Sequence, residues 1–562
     1  MNIPINPFMW IMAFLPIVVL LVLMIKFQWG ATEAAPIGLL ITVFTGIVFY
    51  KADVKLLASE SAKGIWNAFV ILLIVWTAIL LYQVADEAKA FQAIRNGMSK
   101  LLPNELLLVL AMGWIFESFL QGITGFGVPV AVGAPLPIGI GVTPLWAVII
   151  PLFGQAWGNT FGTLGAAWDS LAMSTGLLSG SSTYLATALW AGIFIWIWDF
   201  ITGISICWFY GKGKAVKKGF LAVLVMSLIQ GGGQLLLSQI NTTISCFVPS
   251  CVSLIALLLI GRTKWYKDKW QLTDSSIMDR KDSDPAAGES GAEKSGTGKN
   301  GTGENSTEKN NTGELAVGMT LVQAFVPYVI LTVIALVVLL VTPINTALSK
   351  ISIGLSFPET STGYGIVNKA EECFSPLVPF THASMFLFVA AIVGLFYFQK
   401  HGWIKTGGAG RVFKKSVAMT IPSGIAVIGL IIMSKIMGGT GQTVVLAEGI
   451  AAVLGKWYAV LAPIVGMIGS FMTGSNMSSN ILFGDFQMTT ANLLHLNTSA
   501  VLGAQTAGGA IGSAISPSKI VLGTTTANIL GREGEVLKKI LPVTFATSLF
   551  IGIILFLTVV IG

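Results

Sequence analysis

Charge is what this sequence has least of: Asp, Glu, Lys and Arg together make up 10% of its 562 residues. A soluble chain carries about 25% and, at this length, divides into several domains. Cysteine is scarce too. The four present, Cys207, Cys246, Cys251 and Cys373, fall at spacings that suit neither a metal site nor a redox pair, and they read as small packing residues. No phosphate-binding glycine loop, nucleophile elbow or HExxH motif occurs. That argues against a pump driven by ATP in the same chain and against a membrane protease. The expectation is therefore no enzyme, no cofactor and no metal ion. The first apolar run lacks a basic n-region and a small-residue cleavage site, so it reads as a retained helix.

What the chain has instead is hydrocarbon. Hydrophobic residues make up 54% of it, and mean hydropathy is +0.79. The apolar residues fall in runs of roughly 20, the length that crosses about 30 Å of lipid. Such helices satisfy their own backbone, and no alternation of the barrel kind is visible. The fold class expected is an all-α membrane protein with about twelve crossings. They lie at 10–28, 34–50, 64–84, 144–175, 184–209, 219–240, 243–260, 319–342, 376–398, 416–435, 498–530 and 540–561. Two further stretches, 105–141 and 459–496, are interrupted near their middles by Gly, Ser, Asn and Pro and read as re-entrant hairpins.

The net charge of +7 speaks of orientation and not of nucleic acid, because the basic residues sit between spans. One side collects the basic clusters at 89–100, 212–218, 262–281, 400–415 and 532–539. The other holds only Lys51, Lys55, Lys63, Lys350, Lys369, Lys435 and Lys456. The positive-inside rule makes the first side cytoplasmic and both termini external. Residues 261–318 form the one long hydrophilic segment, low-complexity from about 271. It has too little apolar surface to order itself and is expected to be a disordered cytoplasmic linker. On that side the sequons at Asn305 and Asn310 carry no meaning.

The halves then compare. Residues 1–210 run three crossings, a short helix (86–102), the hairpin 105–141, the glycine-broken crossing 144–175 and a last crossing. Residues 319–562 repeat that order, with a short helix at 440–456, the hairpin 459–496 and the broken crossing 498–530. Two crossings within 211–260 join them, which inverts the second repeat. "SFLQG" at Ser118–Gly122 matches "SFMTG" at Ser470–Gly474, and "GQAWGNTFG" at Gly154–Gly162 matches "AQTAGGAIG" at Ala504–Gly512. Inverted repeats with broken helices in corresponding places point to a transport site near the bilayer midplane.

The stretches "FESFLQGITGFGVPVAVGAPL" (116–136), "PLFGQAWGNTFGTLGAAWDSLA" (151–172), "GSFMTGSNMSSNILFGDFQ" (469–487) and "AVLGAQTAGGAIGSAISPSKIVLG" (500–523) resemble the lactate permease family of bacteria. The resemblance covers nearly the whole chain apart from the linker, which is not a family feature. It implies proton-coupled symport of L-lactate, D-lactate and glycolate across a bacterial inner membrane. It also implies kinship with ion-coupled organic-anion carriers that have two hairpins and an elevator-like moving domain, and by analogy a homodimer. The expected partners are thus the small-molecule substrate, protons and membrane lipid, with no nucleic acid.

A small carboxylate needs hydrogen-bond donors where water is scarce, and half-helix N-termini with hydroxyl and amide side chains supply them. The residues expected to touch substrate are Thr124, Gly125, Asn159, Thr160, Ser475, Asn476, Ser513, Ser516 and Lys519. Lys519 is the only basic residue this reading places inside a crossing. It holds the carboxylate, pairs with Asp169 across the repeat axis, or snorkels to an interface. Proton coupling needs a group that gains and loses a proton; the candidates are Glu117, Asp169, Asp485 and His495, with Asp199 in "WIWDF" less well placed. His382 and His401 are set aside. Rival readings are a carrier of another organic anion, sodium coupling, and a membrane sensor. A dicarboxylate would ask for a second cation, and a sensor for a soluble domain that the sequence does not contain.

Overall fold

The computed structural model describes residues 3–27, 29–125, 127–279 and 318–561. The first half runs α1 (Pro7–Ile25), α2 (Ala31–Val48), α3 (Val54–Glu87), α4 (Ala90–Leu101), α5 (Glu105–Leu110), α6 (Phe116–Ile123), α7 (Val128–Gly133), α8 (Pro135–Ile138), α9 (Pro144–Ala156), α10 (Ala166–Thr175), α11 (Ser182–Ser227), α12 (Gly233–Ser238) and α13 (Phe247–Gly261). The second runs α14 (Leu321–Ala324), α15 (Val326–Leu340), α16 (Thr342–Leu348), four strands, then α17 (Ala383–Lys400), α18 (Gly408–Thr440), α19 (Gln442–Leu454), α20 (Tyr458–Thr473), α21 (Asn476–Leu493), α22 (Thr498–Gly512), α23 (Pro517–Thr526) and α24 (Glu533–Ile561).

Among the described residues nine helices are long and apolar enough to cross a membrane, ten when the pair α15–α16, bent by 86°, counts as one span. This is a multi-pass helical membrane protein. Two of the nine, Glu105–Ile123 and Gln442–Thr473, lie in or run into the stretches read as hairpins, and the shortfall of the remainder from twelve has a local cause. The stretches 144–175 and 498–530 break into α9 and α10, and into α22 and α23, so neither piece alone spans. α13 has only 15 residues. The crossings expected at 184–209 and 219–240 sit in one run, where the backbone leaves helical geometry only at Gly211 and Lys212. The two segments read as hairpins differ from each other. α20 and α21 are long arms of 16 and 18 residues, whereas the return arm in the first half is two short helices, α7 and α8. Pro129, Gly133, Pro135 and Pro137 interrupt the hydrogen-bond ladder there.

Which helices face lipid is visible in their surfaces. α2 exposes Leu40, Phe44 and Ile47, α13 exposes Val252, Ile255 and Leu259, and α15 exposes Val329, Val333 and Val337. Each set repeats every three or four residues, one stripe of a helix. α5 and α6, joined by a π-helical turn at Ala111–Ile115, are enclosed by protein on nearly all sides.

Two features depart from the sequence reading. The fold expected to be all-α carries short strands in the connection between α16 and α17. β1 (Ile353–Phe357) pairs antiparallel with β4 (Glu371–Leu377), and β2 (Thr360–Ser361) with β3 (Val367–Asn368). The segment 261–318, expected to be unstructured throughout, is docked over 262–279, which corrects that expectation at this end. The Trp270 carbonyl accepts from the Glu105 N–H at 3.0 Å and the Ile277 carbonyl from the Thr143 N–H at 2.8 Å. The Ser275 hydroxyl donates to the Tyr210 carbonyl at 2.6 Å. Tyr266, Ile277 and Met278 supply buried apolar surface that a composition argument averages away. Residues 280–317 of that segment lie outside the described residues.

Glycine brings the central backbones together. A Cβ on Gly508 would strike the Pro463 carbonyl, one on Gly466 the Gln505 carbonyl, and one on Gly154 the Gly113 carbonyl. Small residues allow such approach between membrane helices, where van der Waals contact is the main attraction. We expect Gly508→Ala to destabilise the protein by about 1–3 kcal/mol, the range for overpacking a filled interior. It should show as a lowered melting temperature in detergent, while Gly213→Ala, at an open position, should change it little.

Candidate functional site

Four helix breaks meet in the middle of the fold. α6 ends at Ile123 and gives way to an extended Thr124. α9 ends at Ala156, passes through a short turn at Trp157–Asn159, and reaches Thr163, Leu164 and Gly165, all in the left-handed region with φ of 51°, 49° and 90°. Two successive non-glycine residues there, one of them β-branched, store strain of about 1–3 kcal/mol each. α20 ends on Gly474, with φ +77°, where a Cβ would press on the Ser518 hydroxyl. α22 yields at Ser513–Ile515 to an extended Ser516, and Pro517, whose fixed φ suits a first helical position, restarts the chain as α23.

Three helices therefore begin at one place. Their capping residues, Gly165 for α10, Ser475 for α21 and Ser516 for α23, make no side-chain cap bond. The first-turn N–H groups are left without side-chain partners at the positive ends of the helix dipoles. A small polar pocket opens between them. Its side chains include Gln121, Asn159, Ser475, Asn476 and Lys519, with Gly125 and Gly474 letting backbone form the wall.

Lys519 supplies the charge. It is 4% exposed, stands in the first turn of α23, and its ammonium donates to Gln155 Oε1 at 3.2 Å. It makes no ion pair with Asp169, and it reaches the pocket instead of an interface. A buried cation whose only hydrogen bond among the described residues is to a neutral amide leaves donor capacity for an anion.

Behind the wall lies a buried amide and hydroxyl network. Asn159 Nδ2 donates to Ser513 Oγ at 2.8 Å. Asn476 Nδ2 donates to Thr160 Oγ1 at 3.1 Å and to Thr506 Oγ1 at 3.2 Å, and Asn480 Nδ2 reaches Thr506 Oγ1 and the Ala167 carbonyl, each at 2.9 Å. These bonds stitch α9 and α10 of the first half to α21 and α22 of the second.

Residues 9–562 match the L-lactate permease family. The chain belongs to that family. It is 25% identical over 548 residues to an L-lactate permease of Halalkalibacterium halodurans, covering 96% of this chain and 95% of that one. It is 24% identical over 570 residues to the glycolate permease GlcA of Escherichia coli, covering 97% and 94%. The YdaH transporter of Alcanivorax borkumensis overlaps 88% of this chain and 85% of its own at 13% identity, with a TM-score of 0.41.

Within this family member the nine residues expected to touch substrate separate into groups. Gly125, Asn159, Ser475, Asn476 and Lys519 line the pocket. Thr160 and Ser513 stand behind it as partners of Asn476 and Asn159. Thr124 and Ser516 lie outside the lining, their hydroxyls engaged with the Leu120 carbonyl at 3.1 Å and with Ser518 Oγ at 3.0 Å. Gln121, Thr163 and Gly474 line the pocket as well, and Gln155 orients Lys519. Gln121 and Gly474 belonged to the matched motifs "SFLQG" and "SFMTG", and Gln155 was one of the aligned repeat positions; those signals were available. The strain at Thr163 had none.

The titratable candidates are not in the pocket. Glu117 is fully buried on α6, one turn before Gln121, against Gly133 of α7, and among the described residues neither carboxyl oxygen has a partner. Asp169 is on α10 one turn beyond Ala166 and partly exposed. Asp485 of α21 faces Gly438 of α18. His495 is exposed in the turn between α21 and α22, away from the pocket. Asp199 accepts from Trp114 Nε1 at 3.0 Å in the interior of the first half. His382 contacts Ser384 Oγ at 2.8 Å and His401 stacks on Trp403. The sequence reading that gave Lys519 alone to the interior needs correction, because Lys63 lies within α3 and Lys435 within α18.

Asn476 should hold the seam between the halves. Asn476→Leu removes two buried donor bonds and is expected to destabilise by about 1–3 kcal/mol, read as a lower melting temperature of the purified protein.

Proposed function

We propose that the chain carries L-lactate and related small 2-hydroxy monocarboxylates such as glycolate across a bacterial cell membrane, in symport with protons. The carrying observation is the convergence of three uncapped helix N-termini and the Lys519 ammonium on one polar pocket. A monocarboxylate needs one cation and a few oriented donors, and this pocket offers that set. The names of the family relatives support the same substrate class.

The transport cycle in this reading uses the two halves as inverted repeats, 1–210 and 319–562, with re-entrant hairpins at 105–141 and 459–496 and an elevator-like displacement of the pocket. The glycine-mediated approach of α9 to the α5–α6 arm and of α22 to α20 supports the correspondence. The basic clusters at 89–100, 212–218 and 400–415 put that side in the cytoplasm and both termini outside. A homodimer goes with the elevator analogy. Glu117 is the proton carrier of choice. An ionised carboxylate without a partner in an enclosed helix bears the full desolvation penalty, and it lies one helical turn from the pocket.

Asn476 Oδ1 and Asn480 Oδ1, buried acceptors without partners among the described residues, favour a second reading in which sodium is the coupling ion. Proteoliposomes distinguish the two. An imposed inward proton gradient should drive accumulation of labelled L-lactate, and a sodium gradient alone should not; the reverse outcome hands coupling to sodium. Lys519→Met should abolish uptake with the protein still folded, and near-normal uptake would remove the lysine from the carboxylate site. Glu117→Gln should keep lactate exchange across the vesicle while losing accumulation driven by the proton gradient.

A further inference from the structure

A groove of about 380 Å³ runs between α13 and α15 on the lipid-facing surface, apart from the central pocket. Its floor is aromatic. Phe119 of α6 is 1% exposed, and its ring meets those of Phe325 at 5.4 Å and Tyr328 at 5.1 Å, edge to face. The rims are exposed aliphatic side chains, Ile255 of α13 with Val329 and Val333 of α15. Thr332, on the wall, already donates its hydroxyl to the Tyr328 carbonyl at 2.7 Å. The surface offered is hydrocarbon almost throughout.

Two cations stand at one end of it. Leu254 and Leu258 of α13 line the groove, and Arg262, which follows the last residue of that helix, falls one turn beyond Leu258 on the same face. Lys100 of α4 lies one turn beyond Gly97, where a Cβ would strike the lining residue Leu321. A Cβ on Gly261 would meet Leu102, so the ends of α13 and α4 touch beside both cations. Lys100 and Arg262 are exposed and form no ion pair among the described residues. Three residues beyond Arg262 is the exposed Trp265, with the Lys264 ammonium 5.3 Å from its ring. Amphipathic rings of this kind settle at the level of lipid headgroups.

We propose that the α13–α15 groove binds an anionic phospholipid, with one acyl chain along Phe119 and Tyr328 and the phosphodiester between Arg262 and Lys100. Apolar surface alone accepts any lipid tail. Basic residues at the mouth of a cavity between membrane helices select for headgroup charge, and a guanidinium can take two phosphate oxygens at once. A second copy of this chain is a poor occupant, since a two-fold contact through this face would bring two further cations against the same pair. The site depends neither on the substrate of the central pocket nor on the coupling ion.

The test uses the full chain in a neutral detergent, titrated with dioleoyl phosphatidylglycerol or dioleoyl phosphatidylcholine, with bound lipid counted by native mass spectrometry. The wild-type chain should hold phosphatidylglycerol in preference to phosphatidylcholine. Lys100→Gln and Arg262→Gln should each weaken phosphatidylglycerol about fivefold, the effect of one basic group near a charged headgroup, and leave phosphatidylcholine unchanged. Val333→Trp fills the groove from its rim with both cations in place, and it should abolish the preference. The charge variants alter exposed side chains, so they test the site even where the tryptophan disturbs packing. Equal binding of the two lipids by the wild-type chain, meaning a shared lipid annulus only, overturns the proposal. So does a preference that survives the loss of both cations, or one that survives the tryptophan in a folded chain. Lactate is absent from every arm, so the transport reading is unaffected by the result.

Discussion

In hydrocarbon a backbone N–H or C=O without a partner costs several kcal/mol, so a helix can be broken inside a membrane only where protein or a polar cavity receives the freed groups. The architecture of this chain follows from that constraint. α6, α9, α20 and α22 all stop in mid-fold, and they stop beside one another. The released N–H groups of α10, α21 and α23 then serve as the walls of a pocket. Placed anywhere on the lipid-facing surface, where α2, α13 and α15 show unbroken apolar stripes, the same breaks would be unsupported.

Holding such breaks together takes two kinds of contact. The first is close backbone approach, made possible where Gly154, Gly466, Gly508 and Gly512 carry no Cβ against a facing carbonyl. The second is the set of amides and hydroxyls centred on Asn476, Asn480, Thr160 and Thr506, which crosses from one half to the other. In a membrane interior the apolar side chains of lipid and protein are equivalent, so packing and polar bonds decide which helices meet. The left-handed Thr163 and Leu164 persist because this surround over-determines them.

The interior charges sort by whether protein answers them. Lys63 is paired with Glu60 and Glu371, as buried ions usually are. Lys435 donates to the Met173 carbonyl with Glu60, Glu371 and Asp485 close by, while among the described residues Lys519 is met only by the Gln155 amide oxygen, and it borders a pocket. Among the described residues Glu117 has no hydrogen-bond or ion-pair partner. Groups whose electrostatic partners are missing from the fold are those with chemistry left to do.

A good deal was legible in the residues alone. Helix class, the broken segments at 144–175 and 498–530, and the polar tips at Gly125, Asn159, Ser475 and Asn476 follow from hydrophobic run length and from Gly, Ser, Asn and Pro inside apolar stretches, which are local properties. The family followed from long motifs. Tertiary structure alone decided the rest. Thr160 and Ser513 stand behind the wall while Gln121 forms it, because facing depends on how two broken helices rotate against each other. Lys435 was counted with the loops because its span was drawn to end on it, and only packing against α10 put its ammonium on the Met173 carbonyl. The docking of 262–279 was hidden for a similar reason: a handful of aromatic and aliphatic side chains finds a complementary surface hundreds of residues away, and no window along the chain contains both.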